Sequence, residues 1–320
     1  MGKIVAYLLS LTFLLGLIIA FLFYLLPIQT SKIVVRSPLP EFLYSFRNKQ
    51  VLSLEIWEPD IDEVLDIEIE KPDITAKSVL VYDLTTKKAL FSKDPKEKLP
   101  IASLTKVMTA VIALENKKED NSYSVAKENL VGENAMGLTP GEILTLEELL
   151  YGLILPSGND AAEVLAANFP QGRNAFIRAM NDKTKALGLK DTNFTNPSGL
   201  QGDGDQYSSA YDLLVITNYA LKYPVLQKVA STFEEYIQTT ATHKAYYLQN
   251  ETNLLTSYPG VKGIKTGYTP EAELCLITYL EHNQHKIIAV MLGSTNRRAE
   301  MKEILDYSLK TLGEIPPPHQ

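Results

Sequence analysis

The chain has 320 residues, of which 45% are hydrophobic and 22% charged, enough to bury a core of substantial size. Its net charge of −7 provides no basic stripe to neutralise phosphates, which argues against a nucleic-acid partner. Cys275 is the one cysteine, so the chain can form no intrachain disulfide and no cysteine-based metal site, and the four histidines lack metal-ligand spacing.

An uncharged, apolar stretch opens the sequence. Residues 4–28 carry no charge, and 4–26 would span about 35 Å as a helix, enough to cross the hydrocarbon core of a bilayer. We therefore predict a single-pass transmembrane anchor at residues 1–28. A cleaved signal peptide is the alternative, although its apolar core is normally shorter and is followed by a small-x-small cleavage site.

A segment containing prolines and many acidic residues follows the apolar stretch. It covers residues 29–72 and shows little sustained periodicity. We predict a stalk or linker there, a compact domain over 73–313 and a tail over 314–320.

The compact domain begins with a predicted hairpin, whose strands lie at 78–83 and 88–92 on either side of a turn. Apolar residues then recur at helical spacing from 102 to 115, which predicts a helix with one broad buried face. Ser103 and Lys106 lie in the first turn of this helix.

The middle of the domain is predicted to be helical. A helix at 145–155 begins with a capping box, Thr145 and Glu148, and ends before Pro156. Residues 157–159 therefore fall in the break before the next helix. Further helices are predicted at 173–187 and 209–222.

Three strands and a helix complete the domain, at 261–266, 274–281, 286–293 and 297–312. Strands at both ends of the domain with helices between them predict an α+β fold, in which an antiparallel sheet is flanked by helices.

Ser103 and Lys106 are a candidate nucleophile and base. Serine is a poor nucleophile at neutral pH and needs a base within hydrogen-bond reach, together with donors for the oxyanion. Residues three apart on a helix share a face, so the Lys106 amine can approach the Ser103 hydroxyl. Burial and a second cation would keep that amine neutral. The pattern alone is weak, because about one S-x-x-K is expected by chance in a chain this long.

Two further triplets follow in order, Ser157-Gly158-Asn159 in the interhelical break and Lys265-Thr266-Gly267 at the end of a predicted strand. Together with S-x-x-K they resemble the signature of penicillin-binding proteins and class A β-lactamases. The similarity is greatest to the low-molecular-mass D-alanyl-D-alanine carboxypeptidases, since β-lactamases usually have aspartate at the position of Gly158. Other segments that resemble this family lie at 100–102, 155–162, 196–200 and 263–269.

The resemblance implies a β-lactamase/DD-peptidase-like fold with an all-helical subdomain, and a serine hydrolase that trims peptidoglycan stem peptides. Ser103 would attack the carbonyl between two D-alanines, and Lys106 would take its proton. Ser157 would relay a proton to the leaving D-alanine, Asn159 would hold Lys106 and the substrate amide, and Lys265 would supply positive charge.

The resemblance also implies how the substrate's terminal carboxylate is bound. Thr266 and an arginine after the last strand would hold it, a task suited to a bidentate guanidinium. Spacing favours Arg297 over Arg298.

Backbone donors would complete the site. The N–H groups of Ser103 and Tyr268 would form the oxyanion hole, where Gly267 lets the strand approach the substrate. This chemistry needs no metal and no organic cofactor, and β-lactam antibiotics would inhibit it.

Two alternatives to the carboxypeptidase are a β-lactamase of the same fold and a catalytically silent protein that binds cell wall. The first would need a positioned base to hydrolyse the penicilloyl ester, and no glutamate is identified for it by motif. Glu273 favours the second, because relatives usually have an alanine-glycine pair where this chain has Ala272 and Glu273.

The resemblance finally predicts where the domain works. Stem peptides lie outside the cytoplasmic membrane, so the catalytic domain should lie there too. The chain ends soon after Leu312, without the C-terminal β domain of many relatives, so the N-terminal helix would be the tether.

Overall fold

The computed structural model describes residues 56–65, 69–202, 204–252 and 254–319. The predicted anchor at 1–28 lies outside these residues, as does most of the predicted linker. No helix within the described residues is both long enough and apolar enough to span a bilayer.

A five-stranded antiparallel sheet forms the framework of the domain, in the order β2-β1-β9-β8-β7. Its strands are β1 (Ser78–Asp83), β2 (Lys88–Lys93), β7 (Val261–Thr269), β8 (Glu273–His282) and β9 (His285–Ser294). The predicted hairpin and the three predicted late strands are all present. Strand β7 runs past its predicted end at residue 266, so the whole K-T-G triplet lies within it.

Helices connect the first hairpin to the late strands. They are α1 (Lys106–Glu115), α2 (Leu146–Ile154), α3 (Asn159–Ala167), α4 (Arg173–Ala186), α5 (Ala210–Ala220), α6 (Pro224–Ser231) and α7 (Leu254–Ser257), and α8 (Arg297–Thr311) follows the last strand. The predicted capping box is present at α2, where Thr145 accepts a bond from the Glu148 N–H and the Glu148 carboxylate accepts one from the Thr145 N–H.

Two small sheets were not predicted from the sequence. Strand β3 (Tyr123–Ser124) pairs with β4 (Ile143–Leu144), and β5 (Glu234–Ile237) pairs with β6 (Tyr246–Gln249). Strands of two to four residues are too short to show the alternation on which a strand prediction depends.

The main sheet is buried on both faces. Successive side chains of a strand point to opposite sides, and in β1 Val79 and Val81 belong to the apolar cluster of Ile304 in α8. Leu80 and Tyr82 belong to the other cluster, which includes the buried faces of α1 to α5. The sheet therefore separates α8 from the helical subdomain.

Part of the predicted linker packs on the domain. The ring of Trp57 meets the ring of Tyr82 edge-on, with centroids 5.5 Å apart. The Leu65 N–H donates to the carbonyl of Ala89 at 3.0 Å. Residues before 73 thus contribute contacts to the first hairpin.

Candidate active site

Ser103 and Lys106 lie where a short 3-10 helix, Ala102–Thr105, runs into α1. The Lys106 Nζ is 2.9 Å from the Ser103 Oγ, and Lys106 is 0% exposed. The spacing of three residues thus places the two side chains in direct contact, because it brings them to one face of the helical turn.

Three oxygen atoms surround the Lys106 amine. Besides Ser103, it contacts the Asn159 Oδ1 and the Ser198 carbonyl oxygen, both at 2.7 Å. A neutral amine has two N–H groups, which match Asn159 and Ser198, and its lone pair would then face the Ser103 hydroxyl. The environment therefore suits Lys106 as a proton acceptor.

The electrostatics of the site favour the neutral amine. Complete burial lowers the pKa of Lys106 well below its ordinary value, and the positive charge of Lys265 lowers it further. The carboxylates of Glu251, Asp160 and Glu163 act in the opposite direction but do not reverse the shift. Lys106 is therefore far easier to deprotonate than a solvated lysine.

Ser157 stands in a strained position between α2 and α3. Its φ is +60°, a left-handed conformation that non-glycine residues rarely adopt. Its Oγ is buried and has no hydrogen-bond partner among the described residues. A buried hydroxyl without a partner destabilises the fold by about 1–3 kcal/mol. A substrate group that enters the site could form the missing hydrogen bond with it.

Close packing of α2 against the start of α3 explains why the middle residue of S-G-N is a glycine. A Cβ on Gly158 would lie 2.7 Å from the carbonyl oxygen of Gly152, whose bond with the Gly158 N–H is 2.9 Å long. A larger side chain would separate α2 from the start of α3. Glycine therefore keeps Ser157 and Asn159 at the site.

The first two residues of α3, Asn159 and Asp160, are bound to the loop that precedes β4. The Asn159 Nδ2 donates to the carbonyl of Glu133 at 2.8 Å, which fixes the side-chain oxygen toward Lys106. Asp160 is 1% exposed and accepts from the N–H groups of Met136 and Leu138 at 2.9 and 3.0 Å. No role for Asp160 was predicted from the sequence, although a negative charge in the first turn of a helix is stabilising.

Lys265 and Thr266 enter the site from β7. Lys265 is 1% exposed and its Nζ donates to the Thr266 carbonyl at 3.0 Å. Burial, reinforced by the charge of Arg297, lowers the pKa of Lys265 to about 8 against the opposing effect of Glu251. Lys265 thus remains largely cationic at neutral pH.

Close backbone approaches bring β7 and the 196–200 segment to the nucleophile. A Cβ on Gly267 would lie 2.9 Å from the Ile101 carbonyl oxygen and 3.3 Å from the Ser103 nitrogen. A Cβ on Gly199, whose φ is +90°, would lie only 2.0 Å from the Ala102 carbonyl oxygen. Only glycine fits at either place.

Arg297 and Tyr268 flank this approach. Arg297 is the first residue of α8, and its Nη1 donates to the Gly267 carbonyl at 2.8 Å, whereas no such bond links Arg298 to β7 in the described structure. Burial lowers the pKa of Arg297, but a guanidinium remains charged at any physiological pH. Tyr268 follows Gly267 in β7 with its side chain 62% exposed.

Glu251 lies beside the site, although no sequence pattern predicted it there. Its Oε2 accepts a bond from the Thr266 Oγ1 at 3.3 Å. It belongs to none of the three motifs, and only folding brings it next to β7.

Glu273 has a different neighbour. Its carboxylate is 3.1 Å from the Nζ of Lys77, in an ion pair that is about half exposed. Its φ is +55°, in the left-handed region that glycine occupies freely and other residues rarely adopt. Glu273 thus has a strained backbone, and its side chain pairs with a surface lysine.

Comparison with known proteins identifies the family of the chain. The family model for D-alanyl-D-alanine carboxypeptidases, peptidase family S11, matches residues 66–296. The chain belongs to this family. Its S-x-x-K, S-G-N and K-T-G motifs all lie within the matched region.

Named relatives and a solved structure extend the similarity. D-alanyl-D-alanine carboxypeptidase DacF of Bacillus subtilis is 37% identical over 242 residues, covering 73% of this chain and 62% of that protein. DacB2 of Mycobacterium tuberculosis is 33% identical, covering 69% of this chain and 76% of that protein. The crystal structure of the Streptomyces K15 DD-transpeptidase superposes with a TM-score of 0.71 at 30% identity, covering 76% of this chain and all of that one. The match thus spans less than two thirds of the Bacillus protein and the full length of the Streptomyces structure.

Proposed function

We propose that the chain is a serine-type D-Ala-D-Ala carboxypeptidase, which removes the terminal D-alanine from peptidoglycan stem peptides through an acyl-enzyme on Ser103. The observation that carries the proposal is the fully buried Lys106 amine, 2.9 Å from the Ser103 Oγ and depressed in pKa by burial and by Lys265. Membership of the carboxypeptidase family supports it.

Acylation begins when the Ser103 Oγ attacks the carbonyl carbon of the penultimate D-alanine while its proton passes to the Lys106 Nζ. The backbone N–H groups of Ser103 and Tyr268 would stabilise the oxyanion. The C–N bond then breaks, and the leaving amine takes up a proton from Lys106 through the Ser157 hydroxyl. That hydroxyl, which has no hydrogen-bond partner within the described part of the chain, would gain one in this step.

Deacylation repeats the sequence with water as the nucleophile. Lys106 takes a proton from the water as it attacks the ester, and the Ser103 Oγ regains a proton as the tetrahedral intermediate collapses. Asn159 holds the amine through both half-reactions.

The positive charges position the substrate. Arg297, Lys265 and the Thr266 hydroxyl would bind the terminal carboxylate, since Lys265 and Thr266 are neighbours in the middle of β7 and Arg297 donates to the Gly267 carbonyl beside them. A β-lactam carries a carboxylate next to its reactive amide and should acylate Ser103 in the same orientation.

The test is incubation with a pentapeptide ending in D-Ala-D-Ala. The native protein should release free D-alanine, and Ser103→Ala should release none. Ser122→Ala, which changes a half-buried serine whose hydroxyl donates to the Asp120 carbonyl, should match the native protein. A fluorescent penicillin should label the native protein and Ser122→Ala but not Ser103→Ala. Free D-alanine from Ser103→Ala, or none from folded native protein, would overturn the proposal. Rapid turnover of penicillin without a lasting adduct would instead favour a β-lactamase.

We further propose that residues 1–28 anchor the protein in the cytoplasmic membrane with the catalytic domain on the outside. The support is the charge-free stretch at 4–28 and the location of stem peptides outside the cytoplasm. The layers outside the cytoplasmic membrane are permeabilised while that membrane is left intact. Protease added to such cells should digest the domain. Protection of residues 76–310 under those conditions would contradict this placement.

A further inference from the structure

The backbone of Glu251 is fixed on both sides. Its N–H donates to the carbonyl of Leu155 at 3.1 Å, two residues before Ser157. The preceding Asn250 is 5% exposed, and its side chain both donates to the Thr232 carbonyl at 3.0 Å and accepts from the Thr252 N–H at 2.9 Å. Glu251 is therefore an exposed side chain on a rigidly held segment between the S-G-N loop and β7.

The carboxylate of Glu251 is directed at the cationic end of the site. Its Oε2 accepts from the Thr266 Oγ1 at 3.3 Å, and its charge raises the pKa values of Lys106, Lys265 and Arg297. Thr266, Lys265 and Arg297 are the groups assigned above to the substrate's terminal carboxylate. The Glu251 carboxylate thus interacts with the same groups that would bind the terminal carboxylate of the substrate.

We propose that Glu251 is a specificity-determining residue, whose carboxylate competes with the terminal carboxylate of the peptide for the Thr266 hydroxyl and for the charges of Lys265 and Arg297. The inference rests on the proposed function. Peptides with a free terminal carboxylate must displace the Glu251 side chain and are bound more weakly than the cationic groups alone would allow. Peptides whose terminal D-alanine is amidated carry no charge there and escape this penalty.

The size of the effect follows from the exposure of Glu251. A partly solvated pair of like charges interacts weakly, and its removal should strengthen binding of the free carboxylate about three- to tenfold. Glu251→Gln is the suitable variant, because it removes the charge while keeping the shape and a hydrogen-bond acceptor for Thr266. Glu303→Gln, which changes an exposed acid on α8, is the matched control.

The experiment compares two N-acylated peptides, one ending in D-Ala-D-Ala and one ending in D-Ala-D-Ala-amide. The native protein, Glu251→Gln and Glu303→Gln are assayed, each at the pH where its activity is maximal. In Glu251→Gln, KM for the free-carboxylate peptide should fall about three- to tenfold, and KM for the amide should stay within twofold. Glu303→Gln should leave both values unchanged. An equal change for the two peptides, or a rise in KM for the free carboxylate, would overturn the proposal.

The pH profile supplies a second readout that a merely structural role would not change. The charged groups that face the Lys106 amine are Lys265 from β7, Asp160 and Glu163 from α3, and Glu251. Because Glu251 favours the ammonium form, Glu251→Gln should move the acid limb of kcat/KM to lower pH for both peptides. An acid limb that stays in place would contradict the geometry on which the inference rests.

The outcomes separate this inference from the proposed function. Labelling of Ser103 by fluorescent penicillin and D-alanine release by native protein test the function, whatever Glu251 does. If both occur and the ratio of the two KM values is the same in native protein and Glu251→Gln, the function stands and the competition does not. If native, folded protein releases no D-alanine and takes no label, both fail.

Discussion

The Lys106 Nζ lies 2.7 Å from the Asn159 Oδ1, although the two residues are 53 positions apart in the chain. An amide oxygen accepts a hydrogen bond from the amine without adding the negative charge that would stabilise its ammonium form. This bond therefore orients the base while leaving its pKa low. It also links α1 to α3, the two helices that carry the first two motifs.

Asn159→Asp should move the acid limb of the kcat/KM profile to higher pH. A carboxylate in contact with the Lys106 amine favours its protonated form, so the neutral base appears only at higher pH, by about one unit or more. The measurement is the pH dependence of D-alanine release. Asn168→Asp, which changes the residue directly after α3, serves as the control. An unmoved acid limb in Asn159→Asp would show that Lys106 is not the base.

Lys265 should set the alkaline limb of activity. Burial lowers the pKa of Lys265 to about 8, so kcat/KM should fall as the pH rises through about 8 and the site loses a cation that binds the carboxylate. Lys265→Arg should shift this limb to higher pH, by about two pH units or more, because arginine stays charged. Lys262→Arg changes an exposed lysine of the same strand and should leave the profile unchanged. An alkaline limb that is identical in native protein and Lys265→Arg would contradict the assignment.

Ser157→Ala should separate activity from stability. Loss of the proton relay should lower kcat about 10²- to 10³-fold. The Ser157 hydroxyl is buried and has no partner among the residues that the structure describes, so its removal should leave the free energy of unfolding unchanged or raise it by up to about 1 kcal/mol. Denaturant unfolding and D-alanine release measure the two effects. Ser198→Ala is the contrast, because the Ser198 hydroxyl has partners in Asn196 and Leu200 and its loss should destabilise the fold. A clear loss of stability in Ser157→Ala would mean that its hydroxyl is satisfied in solution.

Glu273→Gly should retain activity and stability. Glycine adopts the positive φ without the strain of about 1 kcal/mol or more that another residue has there. The ion pair with Lys77 that is lost is exposed, so it stabilises the fold by only about 0–1 kcal/mol. D-alanine release should stay within twofold of the native rate. Glu273→Ala keeps the strain and loses the pair, so it should unfold at lower denaturant concentration than Glu273→Gly. A large loss of activity in Glu273→Gly would indicate that Glu273 acts on the site after all.

Much of this organisation could be predicted from the sequence where the signal is local. The contact between Ser103 and Lys106 follows from helical spacing, and the start of α2 follows from its capping box. The three motifs could be placed on a helix, a loop and a strand.

Contacts between distant segments could not be predicted in the same way. The Ser198 carbonyl accepts a hydrogen bond from Lys106, which is 92 positions away in the chain. Glu251, which contacts Thr266, follows the hairpin of β5 and β6, whose strands are too short to show periodicity. A backbone carbonyl has no side-chain signature, and an isolated glutamate resembles any surface acid. Such partners are determined by the packing of the folded chain alone.

The order of the motifs along the chain has a consequence for when the protein becomes reactive. The groups that make Lys106 a base, namely Asn159, Ser198 and Lys265, all follow it in sequence, and Lys265 lies in a strand that is paired with β8. A polypeptide that emerges N-terminus first therefore carries an inert Ser103 until its last third has folded. Covalent labelling by penicillin would then mark the completed molecule, and a partly folded or truncated chain would remain unlabelled.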